Sequence, residues 1–186
     1  MISGHLMRAD AIAVLEAWQP PDSDQARLRD DYLAFLAEHD DGMWRECRVG
    51  HLTASAIVLD ERRERVLLTL HPKVGRWLQL GGHCEPDDVS LREAARREAI
   101  EESGIPEVHM SAVPLRLDRH AVPCAGGMSE HLDVQYLATV RSDAREVMSD
   151  ESDDLRWFAL SALPADLDDS VRVLIAAALV PASPLV

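Results

Sequence analysis

The 186-residue chain has few cysteines and no long hydrophobic run. Its three cysteines, Cys47, Cys84 and Cys124, are widely spaced and form no Cys-x-x-Cys pair. This spacing argues against a disulfide framework and against a cysteine-based structural zinc site. The longest apolar run, Val173 to Val180, is too short to span a bilayer. The N-terminal stretch MISGHLMRAD lacks the layout of a signal peptide, so we expect a cytoplasmic protein with no membrane partner.

Lysine is also almost missing, and acidic residues dominate the charge. All but one of the 19 basic residues are arginine, the exception being Lys73, and the formal net charge is -14. A strongly acidic protein repels polyanions, so an extended nucleic acid is not an expected partner. A small phosphate compound with a bound cation remains compatible, because the cation reverses the local charge. The richness in arginine, alanine and aspartate favours a bacterial source with a high-GC genome.

The apolar pattern divides the chain into a helical first part and a mixed second part. Helical periodicity runs from Arg8 to Gln19 and from about Asp22 to Glu38, and Asp41-Gly42 then breaks the chain. We predict that residues 1–45 form a helical N-terminal extension. Residues 46–186 are predicted to form the main domain.

The second part combines strands and helices. Runs rich in β-branched residues and leucine between His51 and His71 predict a hairpin with the turn ERRE. Further strands are predicted at Trp77–Leu80, Val108–Arg119, Leu132–Val140 and Leu155–Leu160. Helices are predicted over Ser90–Ser103, in a short segment from Ser161, and over Ser170–Leu179. These elements predict an α+β fold with a mixed sheet.

The helix predicted from Ser90 to Ser103 has glutamates on the face that should pack on the core. At about 100° per residue, three of its carboxylates project within an arc of about 100°. Inward-facing carboxylates repel one another and are costly to bury unpaired, but a hard divalent cation would stabilise them. The stripe consists of Leu91, Ala94, Ala95, Glu98, Glu101, Glu102 and Ile105.

The segment from Gly81 to Ile105 resembles the Nudix box, Gly-x5-Glu-x7-Arg-Glu-U-x-Glu-Glu-x-Gly-U, where U is aliphatic. Its second half matches in full spacing from Arg97 onward, and Gly81-Gly82 with Glu85-Pro86 looks like the usual opening. There are two departures. Asp88 replaces the first glutamate of the box, and eight residues rather than seven separate it from Arg97.

The resemblance to the Nudix family implies a fold and a reaction. The fold would be a Nudix-type α/β/α sandwich with a mixed sheet. The reaction would be hydrolysis of a diphosphate linkage in a nucleoside diphosphate derivative. Substrates of this class include nucleotide sugars such as ADP-ribose, (deoxy)nucleoside triphosphates and dinucleoside polyphosphates.

The resemblance also implies roles for individual residues. Glu98, Glu101 and Glu102 would bind Mg²⁺ or Mn²⁺ with help from the Gly81 carbonyl, and Arg97 would orient the carboxylates. The cation would polarise a phosphoryl oxygen and lower the pKa of the attacking water.

A carboxylate must then take the proton from this water. Glu98 is one candidate. Glu151, in the acidic loop before a predicted strand, is another, and Glu146 and Asp150 compete with it. A solvated turn residue is the alternative interpretation of each acid in this loop.

Further residues around the box are candidates for substrate contact. His131 and Asp133 share one face of a strand by period two, and with His120 they form a candidate second cation site. An arginine suits a phosphate and a tryptophan, here Trp77 or Trp44, suits a base, although structural roles are commoner for each type. The candidates for substrate contact are His83, Arg76, Trp77, His131 and Asp133.

Two other functions stay open. A Nudix-fold isopentenyl diphosphate isomerase would use a cysteine and a metal, but the complete hydrolytic box argues against it. Covalent catalysis by Cys84 is also disfavoured, because no histidine and acid stand at a recognisable spacing. A non-catalytic nucleotide-binding module would tend to lose the box glutamates, which this chain keeps. A homodimer is a further expectation, since dimers are the commonest oligomers.

Overall fold

The structure is a computed structural model that describes residues 2–124, 127–149 and 152–180. Within these ranges the chain forms four helices and eight strands. The helices are α1 (Ile2–Ala17), α2 (Ser23–Glu38), α3 (Leu91–Ser103) and α4 (Asp169–Leu179). The strands are β1 (His51–Asp60), β2 (Arg65–His71), β3 (Arg76–Leu78), β4 (Leu80–His83), β5 (His109–Met110), β6 (Arg116–Cys124), β7 (Gly127–Val140) and β8 (Asp154–Ala159).

All eight strands belong to one mixed sheet with a parallel pair at its centre. β1 and β7 run parallel, in register from His51 opposite His131 to Asp60 opposite Val140. The other pairs are antiparallel. β4 pairs with the first half of β1 and β2 with its end, while β6 and β5 divide β7 in the same way. The predicted hairpin between β1 and β2 is therefore confirmed.

Helices cover both faces of this sheet. Alternate residues of β1 enter different hydrophobic clusters, because successive side chains of a strand point to opposite faces. Ala56 and Val58 belong to the cluster that contains side chains of α1, α2 and α3. Ile57 and Leu59 belong to the cluster formed with α4. The arrangement confirms the predicted α/β/α sandwich with a mixed sheet and with helices preceding it.

Capping residues that can be recognised in the sequence lie at the ends of α2 and α3. Asp22 caps α2 by accepting hydrogen bonds from the Asp24 and Gln25 N–H groups at 3.0 and 2.8 Å. Ser90 caps α3, and Gly104 ends α3 in the left-handed conformation with φ 65°.

The predicted short helix from Ser161 is wrong. The segment forms turns, and Leu167 instead makes a bridge to Trp77. Pro164 explains the difference, because proline disfavours helical backbone at the residue before it.

No helix in the described ranges is both long and apolar enough to cross a membrane.

Side chains of the N-terminal helical segment form hydrogen bonds with the backbone at and just before the start of β6. The Trp18 indole N–H donates to the Pro114 carbonyl at 2.8 Å. The Gln25 amide exchanges two hydrogen bonds with the Leu117 backbone, at 3.0 and 2.7 Å. The Tyr32 hydroxyl donates to the Asp118 carbonyl at 2.7 Å. These contacts fix the position of β6, while the division of the chain at residues 45 and 46 stays a prediction.

The first helix also contacts the N-terminus of α3. The Asp10 carboxylate accepts a hydrogen bond from the Leu91 N–H at 2.9 Å, and burial raises the pKa of Asp10. The first N–H groups of a helix lack partners within the helix, and its N-terminus favours a negative charge. Asp10 and Ser90 therefore stabilise the start of α3 together.

Loss of the Gln25 contact should lower the stability of the protein. Its side chain is 2% exposed, and Gln25→Ala would leave both buried backbone groups of Leu117 without partners. We expect a loss of about 1–3 kcal/mol in the free energy of unfolding, measured by chemical denaturation. Arg27→Ala is the control, because this exposed side chain on the same helix forms a surface ion pair with Asp24. Equal destabilisation by the two variants would contradict the docking role.

Candidate active site

An open cleft of about 1620 Å³ brings most of the predicted site residues together. It exceeds the volume of about 300–1000 Å³ that is usual for a small-molecule pocket, so it has room for a nucleotide with its phosphates. The predicted residues that line it are Gly81, His83, Arg97, Glu98, Glu101, Glu102, His131 and Asp133.

Two predicted substrate residues lie elsewhere. Arg76 forms an ion pair with Asp168 at 3.0 Å. Trp77 is buried beside α4, with its ring edge-on to Phe158 at a centroid distance of 4.7 Å. Neither is among the described residues that line the cleft.

The acidic loop is described only in part. Glu151 and Asp150 lie outside the described residues, and Glu146 does not line the cleft. The hydroxyls of Ser152 and Thr69 share a hydrogen bond of 2.6 Å, and Thr69 lines the cleft.

Strand β4 has no room for side chains at Gly81 and Gly82, which lie opposite Ser55 and Ala54 of β1. Gly81 has φ +156°, and a Cβ there would lie 2.3 Å from the Ser55 Cβ. A Cβ on Gly82 would lie 2.7 Å from the Glu98 carboxylate. Only glycine combines this backbone conformation with such close approach. The Glu98 carboxylate therefore lies directly against the backbone of β4.

Glu102 reaches the same part of β4 from the next turn of α3. Its carboxylate accepts a hydrogen bond from the Gly81 N–H at 3.1 Å. Glu98 and Glu102 are both partly buried, whereas the Glu101 side chain is 59% exposed. Strand β4 and α3 thus bring two carboxylates together at the edge of the cleft.

Arg97 links the loop before α3 to the glutamates. Its guanidinium donates two hydrogen bonds to Asp88, each at 3.0 Å, and one to the His83 carbonyl at 2.9 Å. It also donates to Glu98 at 2.8 Å and to Glu101 at 3.0 Å. The hydrogen bonds to Asp88 and Glu98 raise the pKa of Arg97, so the group stays charged.

Asp88 occupies this position despite the additional residue between it and Arg97. Its carboxylate also accepts a hydrogen bond from the Glu85 N–H at 2.7 Å, which closes the loop on itself. The Asp88 side chain is nearly buried beside the guanidinium. The insertion is therefore accommodated without separating the aspartate from the arginine.

Asp133 lies on the cleft floor as a fully buried carboxylate. The Thr53 and Ser55 hydroxyls donate to it at 3.0 and 2.6 Å. The side-chain amides of Gln79 and Gln135 donate at 3.3 and 3.2 Å. Burial raises the pKa of Asp133, and these hydrogen bonds oppose the rise. The network makes the floor polar and holds it in one arrangement.

Three histidines lie together beside this floor. The ring centroids of His51, His83 and His131 are 4.9 to 5.1 Å apart. Burial, followed by the neighbouring imidazole of His51, lowers the pKa of His83 to about 4 and that of His131 to about 3. His120 differs, because its hydrogen bond to Asp118 at 2.7 Å raises its pKa.

Sequence reasoning missed His51 and the polar residues that follow it. Strand β1 carries His51, Thr53 and Ser55 at alternate positions between apolar residues. Strand β7 carries His131, Asp133 and Gln135 in the same way. Period-two alternation in both strands was the available signal, and the parallel register places the two rows side by side.

Comparisons with known proteins agree with this geometry. The model of the NUDIX domain matches residues 50–178. A NUDIX-family hydrolase from Clostridium perfringens is 26% identical, with a TM-score of 0.53, over 69% of this chain and 93% of that chain. The chain therefore belongs to the Nudix family, and it is a Nudix hydrolase. A comparison with curated proteins gave no match.

Two more distant structures share the fold. An Ap4A hydrolase from C. elegans is 17% identical, with a TM-score of 0.54, over 68% of this chain and 93% of that chain. The E. coli dihydroneopterin triphosphate pyrophosphohydrolase is also 17% identical, with a TM-score of 0.55, over 69% of this chain and 94% of that chain.

Alanine at the two glycines of β4 should have different effects. Gly81→Ala would force a Cβ against the Ser55 Cβ and Cα, so we expect a loss of at least about 2 kcal/mol in the free energy of unfolding. Gly82→Ala would meet only the end of the Glu98 side chain, which can rotate away. Its stability loss should be clearly smaller. Equal losses in chemical denaturation would contradict the close packing of Gly81 on Ser55.

Proposed function

We propose that the chain is a metal-dependent hydrolase that cleaves a diphosphate linkage in a nucleoside diphosphate derivative. The convergence of Glu98 and Glu102 on the β4 backbone at Gly81 and Gly82 carries this proposal. Both carboxylates border an open cleft, and α3 supplies both from successive turns. A hydrolase of small phosphate compounds also agrees with the formal net charge of -14, because the substrate brings its own cation.

The oxygen donors beside Gly81 and Gly82 fit Mg²⁺ or Mn²⁺. Both cations prefer carboxylate and carbonyl oxygens, which are the donor types present. One guanidinium, that of Arg97, contacts Asp88, Glu98 and Glu101, so the carboxylates outnumber the adjacent cationic group. The proposed ligands are the Gly81 carbonyl and the carboxylates of Glu98, Glu101 and Glu102.

The side chains around Gly81 have different proposed roles in catalysis. When bound, the cation polarises a phosphoryl oxygen and lowers the pKa of the attacking water. Arg97 orients Glu98 through their hydrogen bond at 2.8 Å. We propose Glu98 as the group that accepts the proton from water, with Glu151 as the alternative from the acidic loop.

The cleft also supplies candidate substrate contacts. His83, His131 and Asp133 line it and are proposed to contact the substrate, with Arg76 and Trp77 as outlying candidates. The proposed substrates are nucleotide sugars such as ADP-ribose and (deoxy)nucleoside triphosphates. A cytoplasmic location and a homodimer belong to the same proposal.

The buried state of Cys84 argues against the isomerase alternative. Its thiol is 6% exposed, and burial raises its pKa far above the usual range. A thiolate is the reactive form of cysteine, so this environment disfavours chemistry at Cys84.

Glu102→Gln tests the proposed function. Hydrolysis should fall by at least about 100-fold, because the variant removes the charge of a proposed metal ligand beside Gly81. The amide oxygen can still accept the Gly81 N–H, so the melting temperature should stay close to that of the wild type. The measurement is product release from a panel of ADP-ribose, nucleoside triphosphates and dinucleoside polyphosphates, with Mg²⁺ or Mn²⁺ and with EDTA.

Glu93→Gln is the matched control. Glu93 lies on the same helix and pairs with Arg92 and Arg96 rather than lining the cleft. It should keep wild-type activity. Equal rates in the two variants would end the assignment, and tight nucleotide binding by the wild type without hydrolysis would favour a binding module.

A further inference from the structure

Three strands bring His51, His83 and His131 together beside the cleft, which His83 and His131 line. His51 lies opposite His131 in the parallel register of β1 and β7. His83 lies opposite Thr53 in the antiparallel pair of β1 and β4. Because Thr53 is two residues from His51, all three imidazoles stand on the same face of the sheet.

The ring nitrogens of the three histidines are close enough to share one ion. One nitrogen of each lies within 4.8 Å of the corresponding nitrogens of the other two. Three imidazoles on a tetrahedral zinc ion, with bonds of about 2.0–2.1 Å, have nitrogens about 3.3–3.5 Å apart. Each ring would therefore move inward by less than about 1 Å, which a side-chain rotation can supply.

The hydrogen bonding of these rings points independently to a ligand. His51 is fully buried, and neither of its ring nitrogens has a hydrogen-bond partner of normal geometry among the described residues. The Cys47 backbone approaches the ring, but outside normal hydrogen-bond geometry. The buried Nε2 of His131 also lacks a partner in the described part of the chain. Buried polar atoms are nearly always hydrogen-bonded, and a metal bond would satisfy one ring nitrogen of His51 and one of His131.

Neighbouring groups define which residues belong to the cluster. The His120 Nδ1 is hydrogen-bonded to Asp118 at 2.7 Å, and the group of histidines whose nitrogens all lie within 4.8 Å of one another does not include His120. Asp133 is held by four side-chain donors on the cleft floor. The remaining imidazoles form a nitrogen-only donor set.

We propose that His51, His83 and His131 bind a zinc-class divalent cation, separate from the oxygen-donor site at Glu98 and Glu102. Imidazole suits Zn²⁺, Co²⁺ or Ni²⁺, whereas carboxylate and carbonyl oxygens suit Mg²⁺ and Mn²⁺, so donor type separates the ions. His83 and His131 line the cleft, which leaves a fourth position open to water or to a phosphate oxygen. The inference does not depend on the proposed hydrolysis.

Zn²⁺ binding to the full chain without an affinity tag tests this site. Protein stripped with a chelator and freed of it is titrated with Zn²⁺ by calorimetry in excess Mg²⁺, and bound zinc is counted by elemental analysis. The wild type should bind one Zn²⁺ per chain. His51→Gln and His131→Gln should each weaken binding at least about 100-fold, since each removes a direct ligand.

Two variants serve as controls in the same titration. His109→Gln makes the same chemical change at an exposed residue of β5 and should bind Zn²⁺ like the wild type. Glu102→Gln should also keep Zn²⁺ affinity, which separates this site from the proposed catalytic one. If His51→Gln does not fold, the half-buried His131 decides the test. Absence of Zn²⁺ binding by the wild type at micromolar concentration would overturn the site, as would unchanged affinity in folded His131→Gln and His83→Gln.

Discussion

The close approach of carboxylates to the backbone at Gly81 and Gly82 is the constraint on which the cleft depends. A Cβ at Gly81 would collide with Ser55, and a Cβ at Gly82 would collide with the Glu98 carboxylate. Like charges that converge in this way repel, and partial burial increases the cost. Arg97 offsets part of this repulsion and ties Glu98 to the loop through Asp88. In the proposed function, a bound divalent cation offsets the repulsion that remains between the carboxylates.

The N-terminal helices support this arrangement from a distance. Asp10 binds the first N–H of α3, the helix that carries the glutamates. Gln25 and Tyr32 hold the backbone of β6, which borders the cleft with Asp118 and His120. The two N-terminal helices lie before residues 50–178, which the family model matches, and they contact both α3 and β6.

Features that depend on neighbours along the chain could be predicted from the sequence. Ser90 and Gly104 mark the ends of α3 by short-range capping, and the spacing of Glu98, Glu101 and Glu102 places them on one helix face. The family resemblance, and with it the sandwich fold, followed from the same segment. A regular helix makes such positions calculable, because its geometry repeats every few residues.

Features that depend on strand pairing could not be predicted in this way. His51 and His131 meet only because β1 and β7 are parallel neighbours with a particular register. Trp77 was a candidate for base stacking, yet it packs against Phe158 beside α4. Asp88 still contacts Arg97 because the loop between Cys84 and Ser90 folds back through the Glu85 N–H, which a count of residues does not reveal.

The most direct test of the metal site is an anomalous diffraction measurement on crystals of the full chain soaked in Mn²⁺. We expect an anomalous peak bonded to the Glu98 and Glu102 carboxylates and to the Gly81 carbonyl. In crystals of Glu102→Gln this peak should weaken or disappear while β4 keeps its shape. A wild-type map with no manganese beside Gly81, from protein that hydrolyses a nucleotide substrate in solution, would contradict the proposed site.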